Sequence, residues 1–186
     1  MGIRSFIAID PPTDLRSTLN DIQTRLKSTG ADIRWESADK IHATIKFLGN
    51  VDEDKLSALI EAIEAALKDV HPFGLVCEAL GCFPNKHRPR VIWAGCADED
   101  GTLERMKNLF DTAFLSHGFE KEDRSFHPHF TLGRVRSQSM HAHLTQMLET
   151  ITFQPHRFTC GEILLMKSVL KPQGSEYSII RSFSLR

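Results

Sequence analysis

An α+β fold built on antiparallel sheets is what this chain predicts, on three observations. Strand-like and helix-like stretches are mixed rather than strictly alternating. Several strands return through short, turn-rich links of the hairpin kind. A strand carrying a His-x-Thr triplet, followed by a helix, occurs once in each half of the chain. That repetition suggests two lobes with a central cleft between them, and a motif from each lobe facing it. With 186 residues, 41% of them apolar, the chain is expected to be one domain, residues 1–186, with a real core.

The elements follow from pattern, in order. Ile3–Ile9 alternates and stops at Pro11-Pro12, which predicts a short strand. Thr13–Ser28 sets Leu15, Leu19, Ile22 and Leu26 at helical spacing. Arg34–Glu36 is short and extended. Ile41–Leu48 alternates, with Ile41, Ala43, Ile45 and Phe47 on one face and His42, Thr44 and Lys46 on the other. Gly49-Asn50 is expected to end it. Asp52–Lys68 predicts a second helix, its early acidic residues suiting the helix dipole. Phe73–Cys82 and Arg90–Ala97 predict strands around a basic Pro-containing loop. Leu103–Ser116 predicts a helix closed by Gly118, His129–Val135 a strand, and Ser139–Glu149 a fourth helix. Phe158–Val169 and Tyr177–Leu185 predict a last hairpin joined through Lys171-Pro172-Gln173-Gly174.

A formal net charge of −1 argues against coating long nucleic acid by charge alone, while leaving room for an enzyme that grips one phosphate. No apolar run approaches the roughly 18–20 residues of a membrane span. The start of the chain shows no signal-peptide core and no myristoylation pattern. Cys77, Cys82, Cys96 and Cys160 form no Cys-x-x-Cys pair, so free thiols in a reducing cytoplasm are expected. A monomer with no membrane partner is the expectation.

The chemistry lies in His42-Ala43-Thr44 and His129-Phe130-Thr131. On a strand, residues two apart share a face, so each triplet offers an imidazole beside a hydroxyl. Two such pairs facing each other supply a proton donor, a proton acceptor and two neutral hydrogen-bond donors. That set suits in-line attack of water on a phosphodiester without a metal. A third triplet, His143-Leu144-Thr145, is the control. It falls where Met140, Leu144, Met147 and Leu148 recur at helical spacing, and residues two apart on a helix do not share a face. In the second motif Pro128, which cannot donate to a ladder, fits a strand start and sets His129 near a rim.

The stretches Ile41-His42-Ala43-Thr44-Ile45-Lys46-Phe47-Leu48-Gly49 and Phe126-His127-Pro128-His129-Phe130-Thr131-Leu132-Gly133-Arg134 resemble the paired HxTx motifs of the 2H phosphoesterases. Within that group the chain is similar to the RNA 2′,3′-cyclic phosphodiesterases, or LigT-like proteins. The likeness runs nearly end to end. It takes in Arg4-Ser5-Phe6-Ile7-Ala8-Ile9, Arg34-Trp35, Gly81-Cys82-Phe83-Pro84, Arg90-Val91-Ile92-Trp93-Ala94-Gly95, and Lys167-Ser168 with Tyr177.

The resemblance implies a bilobal α+β fold and hydrolysis of RNA or nucleotide 2′,3′-cyclic phosphate ends to 2′-phosphates. It implies His42 as proton donor and His129 as proton acceptor; the residues themselves leave that direction open. Histidine, with an unperturbed pKa of about 6.5, serves either role. Thr44 and Thr131 would hydrogen-bond the non-bridging oxygens, where charge grows. Lys46, in phase with His42, and Arg134, out of phase with His129 but at a place where the family often has a base, are further phosphate-binding candidates. Trp35, Phe47 and Phe83 are candidates for stacking a base, and His127 could line the site. A His-based metallohydrolase is the rival enzyme reading, since His127 and His129 share parity. No His-Glu-x-x-His or Cys/His ligand spacing occurs, however, so no metal and no cofactor are expected. Reverse chemistry, 2′–5′ RNA ligation, and a noncatalytic RNA-end-binding module stay open.

Overall fold

The structure is a computed structural model that describes residues 2–122, 125–137 and 139–186. In chain order the elements are β1 (Gly2–Ile9), α1 (Thr13–Lys27), β2 (Ile33–Trp35), β3 (Ala43–Asp52), α2 (Leu56–Leu67), β4 (Phe73–Phe83), β5 (Val91–Ala97), α3 (Thr102–Ala113), β6 (His129–Val135), α4 (His141–Thr150), β7 (His156–Cys160), β8 (Glu162–Lys171) and β9 (Gly174–Ser184). The helices bury the stripes their spacing marks: Leu15, Leu19, Ile22 and Leu26 in α1, Leu59 and Ile63 in α2, Phe110 in α3, Leu144 in α4.

The strands run β7-β4-β5-β6-β3-β1-β8-β9, with β2 added on β6, and every neighbouring pair is antiparallel. The mixed α/β antiparallel architecture is therefore the one the sequence predicts. The sheet is one hydrogen-bonded path, not two separate sheets. Among the described residues its halves meet at a single pair, Ala43 with Phe130. Only Gly161 separates β7, at one edge, from β8, next to the other edge, so the sheet must curl back on itself. Gln23 on α1 donates to the carbonyls of Leu132 and Glu36, fixing that helix on the β2–β6 half. α2 and α3 pack together against the other half, and one continuous cluster of buried side chains fills the space under both.

Most strand ends lie within one to three residues of the sequence reading, and two differences go further. Gly49-Asn50 does not end β3, which continues to Asp52. Gly49 sits at φ +67°, where the β1–β3 register shifts between Ser5 and Phe6. The glycine absorbs a bulge and the ladder resumes. Phe158–Val169 is two strands rather than one, broken at Gly161, with β7 pairing β4 and β8 pairing β1. The second helix opens as a 3₁₀ turn over Glu53–Lys55 before α2. All four cysteines are free and buried, and burial pushes the Cys77 and Cys160 thiols up to about 12. No helix among the described residues is long and apolar enough to cross a membrane.

Candidate active site

His42 stands one residue before β3 and His129 opens β6. The two motif strands are the pair that joins the halves of the sheet. Antiparallel pairing about Ala43 and Phe130 sets His42 across from Thr131 and Thr44 across from His129. All four line one cleft of about 1060 Å³. Among the described residues neither threonine hydroxyl has a protein hydrogen-bond partner, so both are free for a ligand. The control triplet is helical, and Thr145 is spent on the carbonyl of Lys86 at 3.1 Å.

A one-residue bulge follows the threonine in both motifs. On β3, Thr44 pairs with Ala8 and Lys46 with Ile7, leaving Ile45 as the extra residue. On β6, Thr131 pairs with Trp93 and Gly133 with Ile92, leaving Leu132 as the extra residue. A bulge reverses the side-chain phase beyond it. Lys46 is thereby turned out of the cleft. It is 2% exposed and held by Asp111 Oδ1 at 2.5 Å and the Glu120 carbonyl at 3.2 Å. The expectation that Lys46 binds the phosphate is corrected on this ground. Phe47 takes the cleft position instead and is 61% exposed. Arg134, out of phase by simple counting, is brought into the cleft, where Glu36 Oε1 lies 3.7 Å from its Nε.

The two imidazoles are held alike. His42 Nδ1 meets the Lys40 carbonyl at 2.8 Å, and His129 Nδ1 meets the His127 carbonyl at 2.6 Å. A carbonyl only accepts, so each Nδ1 carries the proton and Nε2 is left for chemistry. Burial pushes both imidazoles below the ordinary histidine value, against the opposing pull of those carbonyls. Arg134 lowers both. The Asp10 carboxylate raises His42 alone, while His127 lowers His129 further.

Aromatic rings fix the planes. Phe6 stacks on His42 at 4.7 Å, and Tyr177 meets it edge-on at 4.9 Å. Phe83 meets His129 edge-on at 5.1 Å, with Trp93 behind it. A Cβ on Gly81 would lie 2.3 Å from the Trp93 ring, so glycine there leaves the space that ring fills. Trp35, Phe47 and Phe83, the stacking candidates, all line the cleft, as does His127. Trp35 also carries Lys27 over its ring at 5.8 Å.

Sequence reasoning missed Phe6, Tyr177, Arg4 and Arg34 as cleft residues. Arg34 lies directly across the strand pair from Arg134. Two cations at opposed positions repel unless an anion sits between them. Tyr177 reaches the site because β8, its partner in the last hairpin, pairs with β1, a long-range fact that periodicity does not carry. Among the described residues no group of three or more His, Cys, Asp or Glu is arranged to hold a metal ion.

A family model described as LigT like Phosphoesterase matches residues 9–93 and 96–177. The RNA 2′,3′-cyclic phosphodiesterase of Methanothermobacter thermautotrophicus is 31% identical over 186 residues, the whole of both chains. That of Methanocaldococcus jannaschii is 32% identical over 97% of this chain and all of its own. Among solved structures, E. coli LigT complexed with 3′-AMP aligns with a TM-score of 0.77 at 25% identity, covering 100% of this chain and 99% of its own. A Thermus thermophilus protein of the same fold aligns with a TM-score of 0.82 at 24% identity, covering 99% and 98%.

Proposed function

This chain belongs to the LigT-like phosphoesterase family, and on that footing we propose that it hydrolyses 2′,3′-cyclic phosphate ends of RNA or nucleotides by metal-free acid–base catalysis. The observation that carries the reading is the opposed pair of triplets. Two imidazoles with Nδ1 tied to carbonyls, and two threonine hydroxyls with no partner among the described residues, line the same cleft. The names of the relatives and the 3′-AMP bound to E. coli LigT support a nucleotide end as the ligand.

In this mechanism His129 Nε2 takes a proton from water as its oxygen bonds to phosphorus. The bond from phosphorus to the ribose O3′ breaks, and protonated His42 gives its proton to that oxygen. The product is a 2′-phosphate. Thr44 and Thr131 donate to the non-bridging oxygens as charge grows there, and Arg134 offsets the phosphate charge. Cations act on both imidazoles, Arg134 and Arg16 on His42 and Arg134 and His127 on His129, but an anion, Asp10, acts on His42 alone; that asymmetry supports His42 as the acid. The working unit is residues 1–186 as one bilobal domain, a motif coming from each half of the sheet. It acts as a cytoplasmic monomer, and the four buried free thiols support a reducing compartment.

The test is turnover of adenosine 2′,3′-cyclic phosphate by the wild type and by His42→Ala and His129→Ala. Each variant loses about 10²–10⁴-fold in rate. Variants as fast as the wild type refute the assignment. Binding of the nucleotide without turnover by the wild type identifies a binding module instead.

A further inference from the structure

His42 has a support that His129 lacks. Arg16, on α1, sends Nη1 to the carbonyl oxygens of Ala38 and, at 3.3 Å, Ile41, and Nη2 to the Asp10 carboxylate. Those carbonyls bracket the single turn Ala38–Lys40, and the Lys40 carbonyl is what holds His42 Nδ1. In the second motif the corresponding carbonyl belongs to His127. There Pro128 follows, its ring fixes φ, and its own carbonyl accepts from the Cys96 backbone N–H at 3.0 Å. A proline secures one histidine; a guanidinium bound to three groups secures the other.

Resting on the acid–base reading above, we propose that Arg16 is a positioning residue for His42, holding through the Ala38 and Ile41 carbonyls and the Asp10 carboxylate the turn whose Lys40 carbonyl orients the ring. The Asp10 carboxylate it holds raises His42 and is not among the groups acting on His129. The charges acting on His42 are Asp10, just after β1, Arg16 on α1 and Arg134 on β6; Tyr177 on β9 packs against its ring, and Lys40, Arg4, Arg34, Glu36 and His129 line the same cleft. Asp10 is the anion among the charges that act on it. Arg16 itself opposes a cationic His42, so its gain is geometric: it fixes the carbonyl that orients the ring and keeps the carboxylate in place. Asp10 is about half exposed, with its side chain at 45%, so solvent screens its effect and the bias is modest.

The test uses Arg16→Ala, Arg16→Lys and Asp10→Asn in the full chain with adenosine 2′,3′-cyclic phosphate. It is combined with NMR titration of the two imidazoles. Arg16→Ala lowers kcat about 10–10²-fold with KM little changed, and Arg16→Lys recovers part of the loss. Asp10→Asn moves the alkaline limb of the kcat/KM profile to lower pH. It shifts the His42 titration downward and leaves that of His129 in place. A purely structural role would lower the melting temperature without separating the two titrations. Equal movement of both imidazoles, or wild-type kcat in Arg16→Ala, overturns the proposal. If Arg16→Ala does not fold, Asp10→Asn, a change at a half-exposed side chain, still decides it. Wild-type behaviour of both variants alongside an inactive His42→Ala sinks this inference alone. Absence of wild-type turnover sinks the functional reading, and the titrations still judge Asp10.

Discussion

Asp111→Ala strands two buried lysines. Asp111 accepts from Lys46 through Oδ1 at 2.5 Å and from Lys107 through Oδ2 at 2.7 Å, and the three side chains are 4%, 3% and 9% exposed. Among the described residues each lysine has one further bond, to the carbonyls of Glu120 and Glu122 at 3.2 Å, so the cluster pins that segment to β3 and α3. Deleting the shared carboxylate leaves two uncompensated buried charges, a change that costs about 3–5 kcal/mol. For a domain of this size that lowers the melting temperature by about 6–20 °C. Lys46→Met leaves Lys107 and Asp111 as a balanced pair and gives a smaller drop. Burial alone would raise the Asp111 carboxyl, but the hydrogen bonds and charges of Lys107 and Lys46 hold it below the ordinary range. Its stabilisation is therefore complete above the unfolded value of about 3.9 and is lost as pH falls through the lower folded value. Melts followed by circular dichroism near neutral pH show the full effect. A melting temperature for Asp111→Ala within about 2 °C of wild type refutes the reasoning. So does a Lys46→Met variant with raised KM and unchanged stability, which is the behaviour of a phosphate ligand.

Because burial and Arg134 depress both imidazoles, the limbs of the kcat/KM profile fall below about pH 6.5, and Arg134→Met moves both upward while raising KM. Limbs at or above that pH, unmoved in Arg134→Met, contradict the electrostatic picture. The same depression means both histidines favour the folded state fully above about pH 6.5 and lose that contribution as pH falls through their lower folded values, so thermal melts at stepped pH show stability declining from there. Phe47→Ala, at a 61% exposed position in the cleft, raises KM for the cyclic nucleotide about 5–10²-fold through lost stacking and leaves the melting temperature nearly unchanged. Steady-state kinetics beside a melt separates the two effects.

Much of this molecule was legible in its residues because its strands and helices obey their periods. His129–Val135 has the predicted bounds, and the α1 stripe of Leu15, Leu19, Ile22 and Leu26 is buried as its spacing requires. The triplets reached a common cleft because strand phase puts His and Thr on one side. Simple alternation failed just beyond each threonine. Ile45 and Leu132 are extra residues only relative to the registers of β1 and β5, strands distant in sequence, so local pattern cannot reveal them. One physical cause thus explains three outcomes: Lys46 leaves the cleft, Phe47 replaces it, and Arg134 enters. Gly161 escaped notice for a similar reason. Strand-forming residues flank it on both sides, Phe158–Cys160 and Ile163–Met166, and only the pairing of β7 with β4 and β8 with β1 shows the break. Phe6, Arg34 and Tyr177 stand in family-like stretches, but only strand pairing brings them to the site.

On the proposed mechanism His42 and His129 open a cyclic phosphate without a metal. The direct measurement is phosphorus NMR of adenosine 2′,3′-cyclic phosphate incubated with protein stripped by a strong chelator and assayed in its presence. The expected product is adenosine 2′-phosphate, formed at the rate of untreated protein. Loss of turnover on chelation, restored by adding back a divalent metal ion, would contradict it.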